Sequence, residues 1–242
     1  MCRELVEPEE LTVEELDNLP CGPDRVRVRI WASGVNYVDA LFVQGKYQIK
    51  PPLPFIPGSE IAGEITEVGE DVEGWAVGDR VMASVGLGGF ADEIVLRADQ
   101  LTRIPDRLSF GQAATMGQSY CTAWFTLTRR TVLRPEDWVV IFGAAGGVGL
   151  AMLDVARSFG AHTVAVASSP EKLQLAIERN ANAVIDSSDS GSDGATMRAR
   201  IREVTDGGAD IVIDPVGGTL TEEGLRGLRE GGRLMVIGFA SG

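Results

Sequence analysis

Histidine and cysteine are scarce: His162 stands alone, and Cys2, Cys21 and Cys121 are scattered through 242 residues. With no C-x-x-C pair and a single histidine, a metal held by Cys and His lacks ligands, and an odd set of distant cysteines gives no disulfide framework. A basic cluster is missing too. The 22 Lys and Arg are outnumbered by 35 Asp and Glu, a formal charge of −13, which disfavours a nucleic-acid or anionic-membrane partner. No apolar run reaches the roughly 20 residues that span a bilayer, and no basic-then-apolar leader opens the chain. The chain therefore reads as soluble and cytoplasmic. Its 44% hydrophobic content is ample for one large or two modest domains.

Glycine is plentiful, and its placement organises the chain. In Asp137 to Leu150 (DWVVIFGAAGGVGL), Trp138 to Phe142 is a short β-branched run that reads as a buried strand. The glycines follow at once, and Leu150 to Phe159 carries a helical apolar pattern. A strand, tight turn and helix in this order aim a helix N-terminus at a pyrophosphate. The spacing is A-x-G-x-x-G over Ala144, Gly146 and Gly149: Gly146 admits the phosphates and Gly149 lets the helix pack on the strand. Ala145, Gly147 and Val148 complete the candidate cofactor-binding turn.

Further βαβ units follow. Strands are expected at Thr163 to Ala167, Ala183 to Asp186, Ala209 to Asp214 and Arg233 to Phe239. Helices are expected at Pro170 to Arg179, Met197 to Val204 and Thr219 to Arg229. This alternation predicts a doubly wound parallel sheet of Rossmann type. Between them, Ser187 to Gly194 consists only of Ser, Asp and Gly and reads as a solvated loop.

Residues up to about Ile104 differ in texture. Leu11 to Leu16, Arg25 to Trp31, Ile61 to Val68, Arg80 to Ala83 and Ala91 to Val95 are short strand-like runs between Gly, Pro and Asp turns. Asn36 to Val43 reads as a short helix, and Pro51 to Pro57 as a rigid loop. A helical stretch from Ser109 to Arg130 bridges the halves. The expectation is a β-rich domain over residues 1–108 and a Rossmann domain over 109–242, an α/β protein.

The order GVNYVD (34–39), GKY (45–47), PLPFIPGSE (52–60), VGDR (77–80), FGAAGGVG (142–149) and DPVGG (214–218) resembles the zinc-free medium-chain dehydrogenase/reductase superfamily, in its NADPH:quinone oxidoreductase (zeta-crystallin-like) branch. The resemblance covers essentially the whole chain. It implies a GroES-like β domain joined to a Rossmann domain, an active site in the cleft between them, NADPH as hydride donor and a homodimer. Zinc-dependent relatives carry a cysteine where Asn36 stands and a histidine where Ser59 stands, so a zinc-assisted reaction is not expected.

Where NAD sites end the second strand with an acid, this chain has Ala167, Ser168 and Ser169, with Lys172 just beyond. Two hydroxyls and an ammonium suit a 2′-phosphate. Lys172 also reads as an ordinary solvated lysine. Ser187 takes the place of an aromatic or basic residue that closes this pocket in many relatives. At the nicotinamide end the resemblance points to Thr122, which alternatively bonds its own helix backbone. Gly217, Gly238 and Phe239 fall at or after the carboxyl ends of strands four and five, where open α/β sheets bind ligands. The resemblance likewise makes Asn36 and Tyr47 catalytic, as donors positioning a quinone. Both also have bland roles, Asn36 as a helix cap and Tyr47 packed under the proline loop. Leu41 replaces a second tyrosine, and Asp39 reads as structural.

Quinone reduction is the leading reading, with reduction of an activated C=C bond in an enone or enoyl thioester close behind. A catalytically silent NADPH-binding scaffold is the non-enzyme alternative. Members of the family begin with a strand ahead of Cys2 and continue past Gly238 with a further Rossmann strand. Neither is seen here, which reads as a fragment, lost residues or a shortened variant, and predicts an exposed sheet edge beside strand five.

Overall fold

The computed structural model describes residues 1–17, 19–188 and 196–239. The chain forms two compact units, Met1–Gln118 and Ser119–Gly242.

In the first unit an antiparallel sheet runs in the order β4-β1-β2-β3-β5. Its strands are β1 (Arg25–Gly34), β2 (Glu60–Val68), β3 (Arg80–Ser84), β4 (Glu93–Arg97) and β5 (Thr102–Arg103). Alternation along β1 sends Val26 and Val28 into a core with Ile61, Ile65, Val81 and Leu96, while Arg27 pairs outward with Glu67 at 2.9 Å. The period-2 pattern thus marks one buried face and one solvated face. Gly63 in β2 is required by close approach, because a Cβ there would lie 2.0 Å from the Arg29 carbonyl oxygen. The expected strand at Leu11 to Leu16 does not form. That segment joins no ladder, and Val13 is fully exposed; alternation supplies a face, but a strand also needs a bonded neighbour. Together with Gly88–Val95 the segment borders a groove of about 740 Å³.

Helix α1 (Tyr37–Val43) follows β1, with Asn36 as its extended N-cap. The expected continuous helix from Ser109 divides into α2 (Phe110–Ala114) and α3 (Met116–Phe125), followed by a π turn at Thr126–Arg130. The break is at Thr115, where the backbone leaves helical geometry (φ −108°, ψ 0°).

The second unit is a parallel sheet in the order β10-β9-β6-β7-β8. Its elements alternate as β6 (Trp138–Phe142), α4 (Gly147–Ser158), β7 (His162–Ala167), α5 (Pro170–Glu178), β8 (Ala183–Asp186), α6 (Met197–Val204), β9 (Ala209–Asp214), α7 (Thr219–Gly227) and β10 (Leu228–Val236). The central strand β6 is apolar throughout because both of its faces are covered. Val139 and Ile141 face one core with Met152 and Ile213, and Val140 and Phe142 face the other with Val166 and Val212. Strand order reverses between β6 and its neighbours β7 and β9, creating the switch point of a doubly wound sheet. The fifth strand corrects the expectation: it begins at Leu228, five residues before Arg233, and ends at Val236. Leu228 pairs with Ala209 and Arg233 with Ile211, so the segment Arg229 to Gly232 forms a bulge. Most of the expected Ser187 to Gly194 loop lies outside the described residues.

Candidate functional site

At the carboxyl end of β6 the chain turns through Gly143 in the left-handed region (φ 58°). Ala144 is fully buried, its N–H bonded to the Val166 carbonyl at 3.1 Å. Helix α4 opens at Gly147, earlier than its apolar pattern suggests, with Gly146 as N-cap and no acidic residue in the first turn. The two diagnostic glycines then separate physically. A Cβ on Gly149 would lie 2.5 Å from the Gly143 oxygen and 2.6 Å from Ala144 Cα, so the turn itself demands glycine. Gly146 (φ −77°, ψ 166°) has an ordinary backbone, and a Cβ there meets only the Gly143 oxygen, at 3.3 Å. Exclusion by the fold is far weaker at Gly146, where one oxygen need give only a few tenths of an ångström, and Gly146 and Gly147 are exposed. What glycine leaves open there is a cradle in front of a helix N-terminus. Ala145 and Val148, on either side of this glycine pair, are half-buried.

At the end of β7, Lys172 Nζ lies 3.3 Å from Ser168 Oγ, both exposed. Ser169 is committed otherwise: its Oγ caps α5 by accepting the Lys172 N–H at 3.4 Å. The backbone N–H of Glu171 itself, and after it the Ser169 hydroxyl, hold the Glu171 carboxyl below its usual range. Ser187 donates its N–H to the Ala167 carbonyl at 2.8 Å. Two acids stand at these element ends: Glu171 in the first turn of α5, and Asp186, registered opposite Ala167 with its Oδ1 bonded to Ser188.

Beside the switch point, β9 ends at fully buried Asp214. Its Oδ1 accepts the N–H groups of Val216 and Gly217, each at 2.9 Å, and its Oδ2 accepts the Thr221 hydroxyl at 2.5 Å. The turn carries Gly217 (φ 84°) and Gly218 (φ 65°). Gly238 lies beyond β10, its N–H 3.4 Å from the Asp214 carbonyl, and Phe239 is exposed. On α3, Thr115 and Thr128 at its two flanks bond helix carbonyls. The Thr122 hydroxyl makes no such bond among the described residues, so the backbone-satisfied alternative is not what is seen.

In the first unit, Asn36 enters a buried polar network. Its Nδ2 donates to Glu60 Oε1 at 2.8 Å and lies 3.4 Å from Ser59 Oγ. Its backbone N–H donates to Asp39 Oδ2 at 2.8 Å. Tyr47 is at the other end of α1, roughly 10 Å of helix away. Its ring packs edge-on against Phe42 at 4.8 Å, and its hydroxyl has no partner among the described residues. Asp39 is 3% exposed and its Oδ1 is unpartnered. Burial pushes its carboxyl up, against the opposing pull of the Asn36 N–H. A raised folded-state value means a contribution to stability that is whole below the ordinary 3.8 and is lost as pH rises through the folded value. Asp39→Asn is therefore expected to gain on the wild type in urea midpoint as pH rises from acid to neutral. Parallel midpoints across that range would refute the burial effect.

The family models match in both units. Residues 22–106 match the alcohol dehydrogenase GroES-like domain, and residues 147–242 match the zinc-binding dehydrogenase model. Quinone oxidoreductase-like protein 2 of Bos taurus is 40% identical over 243 residues, covering 100% of this chain and 68% of that protein. The structure of Escherichia coli quinone oxidoreductase complexed with NADPH is 28% identical with a TM-score of 0.89, covering 99% of this chain and 72% of that one. The CurK enoyl reductase structure is 28% identical with a TM-score of 0.84, covering 95% and 70%. The fold and its glycine turn are those of a medium-chain dehydrogenase/reductase with a GroES-like and a Rossmann part. Within that superfamily the chain belongs to the quinone oxidoreductase family.

Proposed function

We propose that this chain is an NADPH-dependent reductase of quinones that works without zinc. Residues 1–108 serve as its substrate domain and 109–242 as its NADP-binding domain. The observation that carries the reading is Gly146, a glycine at the mouth of α4 whose Cβ would meet a single backbone oxygen at 3.3 Å, against three backbone atoms within 2.8 Å at Gly149, and whose missing side chain leaves room for a pyrophosphate. Val148 and the other N–H groups of this first turn are the anion donors. Ser168 and Lys172 take the 2′-phosphate; Ser169, already capping α5, contributes less than a free hydroxyl. Thr122, Gly217, Gly238 and Phe239 serve the nicotinamide end.

The bound cofactor supplies the hydride; the protein supplies orientation and a donor to the oxygen that gains charge. Tyr47, with its free hydroxyl, is that donor, and Asn36 completes the substrate slot. A family neighbour that is an enoyl reductase supports the second reading, hydride transfer to an activated C=C bond. Small-molecule substrates and homodimer assembly follow by the same reasoning from the family.

The test is cofactor consumption by the purified chain with an ortho-quinone and, separately, an enone, each with NADPH and with NADH. NADPH-selective turnover of the quinone supports the proposal. NADPH binding without turnover of either substrate refutes it in favour of a silent scaffold. Lys172→Ala is expected to weaken NADPH by about 1 to 2 kcal/mol, the value of a charge-assisted contact, and to leave NADH unchanged. Equal losses for both cofactors would remove Lys172 from the phosphate site.

A further inference from the structure

Glu60 opens β2 and is 3% exposed. Both of its oxygens are committed. Oε2 accepts the backbone N–H of Gln118 at 2.9 Å, and Oε1 accepts Asn36 Nδ2 at 2.8 Å. Two glycines make room for it: a Cβ on Gly34 would meet Oε1 at 2.5 Å, and one on Gly117 would meet Oε2 at 3.1 Å. The carboxylate is thus held in one place, and the polarity of its surroundings follows. A backbone N–H only donates and a carboxylate only accepts, so the Asn36 carboxamide must turn its NH₂ toward Glu60. The second hydrogen of that NH₂ faces Ser59 Oγ at 3.4 Å, and the Ser59 hydroxyl in turn donates to Gln118 Oε1 at 3.1 Å. Both N–H groups of Asn36 are therefore directed into the protein. What the carboxamide has left to offer is its oxygen.

We infer that Glu60 is a positioning residue that locks Asn36 with its carbonyl oxygen toward the ligand. At this position the site then reads a hydrogen-bond donor, a hydroxyl or an amide N–H, and does not polarise a substrate carbonyl. The inference rests on the reading above that Asn36 lines a reductase site, and gives Asn36 an acceptor role there in place of the expected donor role. A simple quinone or enone carries acceptors only, so the donor belongs either to the cofactor or to a hydroxyl on the substrate.

Glu60→Gln separates these cases. The replacement amide must keep its oxygen on the obligate donor at Gln118, so its NH₂ faces Asn36 and forces that carboxamide to invert. The fold is expected to tolerate the change, because shape and both contacts survive. Affinity for the ligand that carries the donor is expected to fall about tenfold. A loss in NADPH affinity assigns the donor to the cofactor; a rise in KM for a hydroxylated quinone alone, with kcat and NADPH affinity kept, assigns it to the substrate. Unchanged values for both overturn the inference, as does a uniform loss accompanied by a lower melting temperature, which would mark Glu60 as merely structural. Amide NMR supplies a reading that needs no ligand. The Asn36 side-chain protons are expected to exchange slowly in the wild type and faster in Glu60→Gln. Solvent-fast exchange in the wild type overturns the orientation. A wild type that fails to bind NADPH overturns the functional reading of the site, while the exchange measurement still decides the orientation.

Discussion

Gly146→Val is expected to abolish NADPH binding while leaving the melting temperature unchanged, and Gly149→Ala to do the reverse damage by unfolding the turn. The difference lies in what each added carbon meets. At position 149 it strikes backbone on every side, the Gly143 oxygen at 2.5 Å and two Ala144 atoms at 2.6 and 2.8 Å. Backbone cannot rotate away as a side chain can, so strand β6 and helix α4 must part. Overpacking of this kind costs about 3 kcal/mol, which for a chain of this size lowers the melting temperature by roughly 6 to 12 °C. At position 146 the backbone is already extended and the added carbon finds only one oxygen, at 3.3 Å. The folded state admits valine there by a shift of a few tenths of an ångström, a cost offset by the freedom the unfolded state loses. The isopropyl group instead occupies the space in front of the first N–H groups of α4. Losing two charge-assisted hydrogen bonds to phosphate costs about 3 kcal/mol or more, beyond a hundredfold in affinity. Thermal melts and NADPH fluorescence titrations of the two variants check both halves. A Gly146→Val protein that binds NADPH normally would remove the pyrophosphate from this turn.

The legibility of that turn in the sequence has a physical origin. A strand buried on both faces shows as an unbroken β-branched run, and a helix lying on it shows period 3.6. β6, β8, α6 and β9 were therefore readable to the residue. β10 was not, because Gly231 and Gly232 lie inside it: the bulge keeps one strand where local composition reads a turn. Leu11 to Leu16 failed for the opposite reason. Its alternation is sound, but pairing is a long-range fact with no local trace. The candidate site divides in the same way. Gly146 and Lys172 announce themselves by spacing, and so could be proposed from the sequence. The Glu60 network joins residues 24 and 58 positions apart, a separation that no periodicity records. Ser169 was legible as a hydroxyl near the end of β7, but its hydrogen bonds are spent on α5 and Glu171, which only the folded turn reveals.

Asp214 offers the second large effect, and its three contacts predict a graded response. Oδ1 receives two backbone N–H groups that can only donate, while Oδ2 receives the Thr221 hydroxyl, which can rotate and accept instead. In Asp214→Asn the amide oxygen keeps the backbone pair and the NH₂ donates to Thr221. Only the charge assistance is lost, a cost of about 1 to 2 kcal/mol. Asp214→Ala leaves the donors at the turn without an acceptor, and each unsatisfied buried group costs about 1 to 3 kcal/mol, so a total of about 3 kcal/mol or more is expected. The turn it releases holds Gly217 and Gly218 at positive φ beside the glycine turn of β6, where a Cβ on Gly143 would approach Val216 to 3.2 Å. Relaxation of one turn therefore disturbs the other, and NADPH affinity is expected to fall in Asp214→Ala even where the protein remains folded. Urea unfolding ranks the stabilities, and an NADPH titration at low temperature reads the coupling. An alanine variant within 1 kcal/mol of the asparagine variant would mean that the carboxylate does not organise this turn. Normal affinity in a folded alanine variant would mean that the turn is held in place without it.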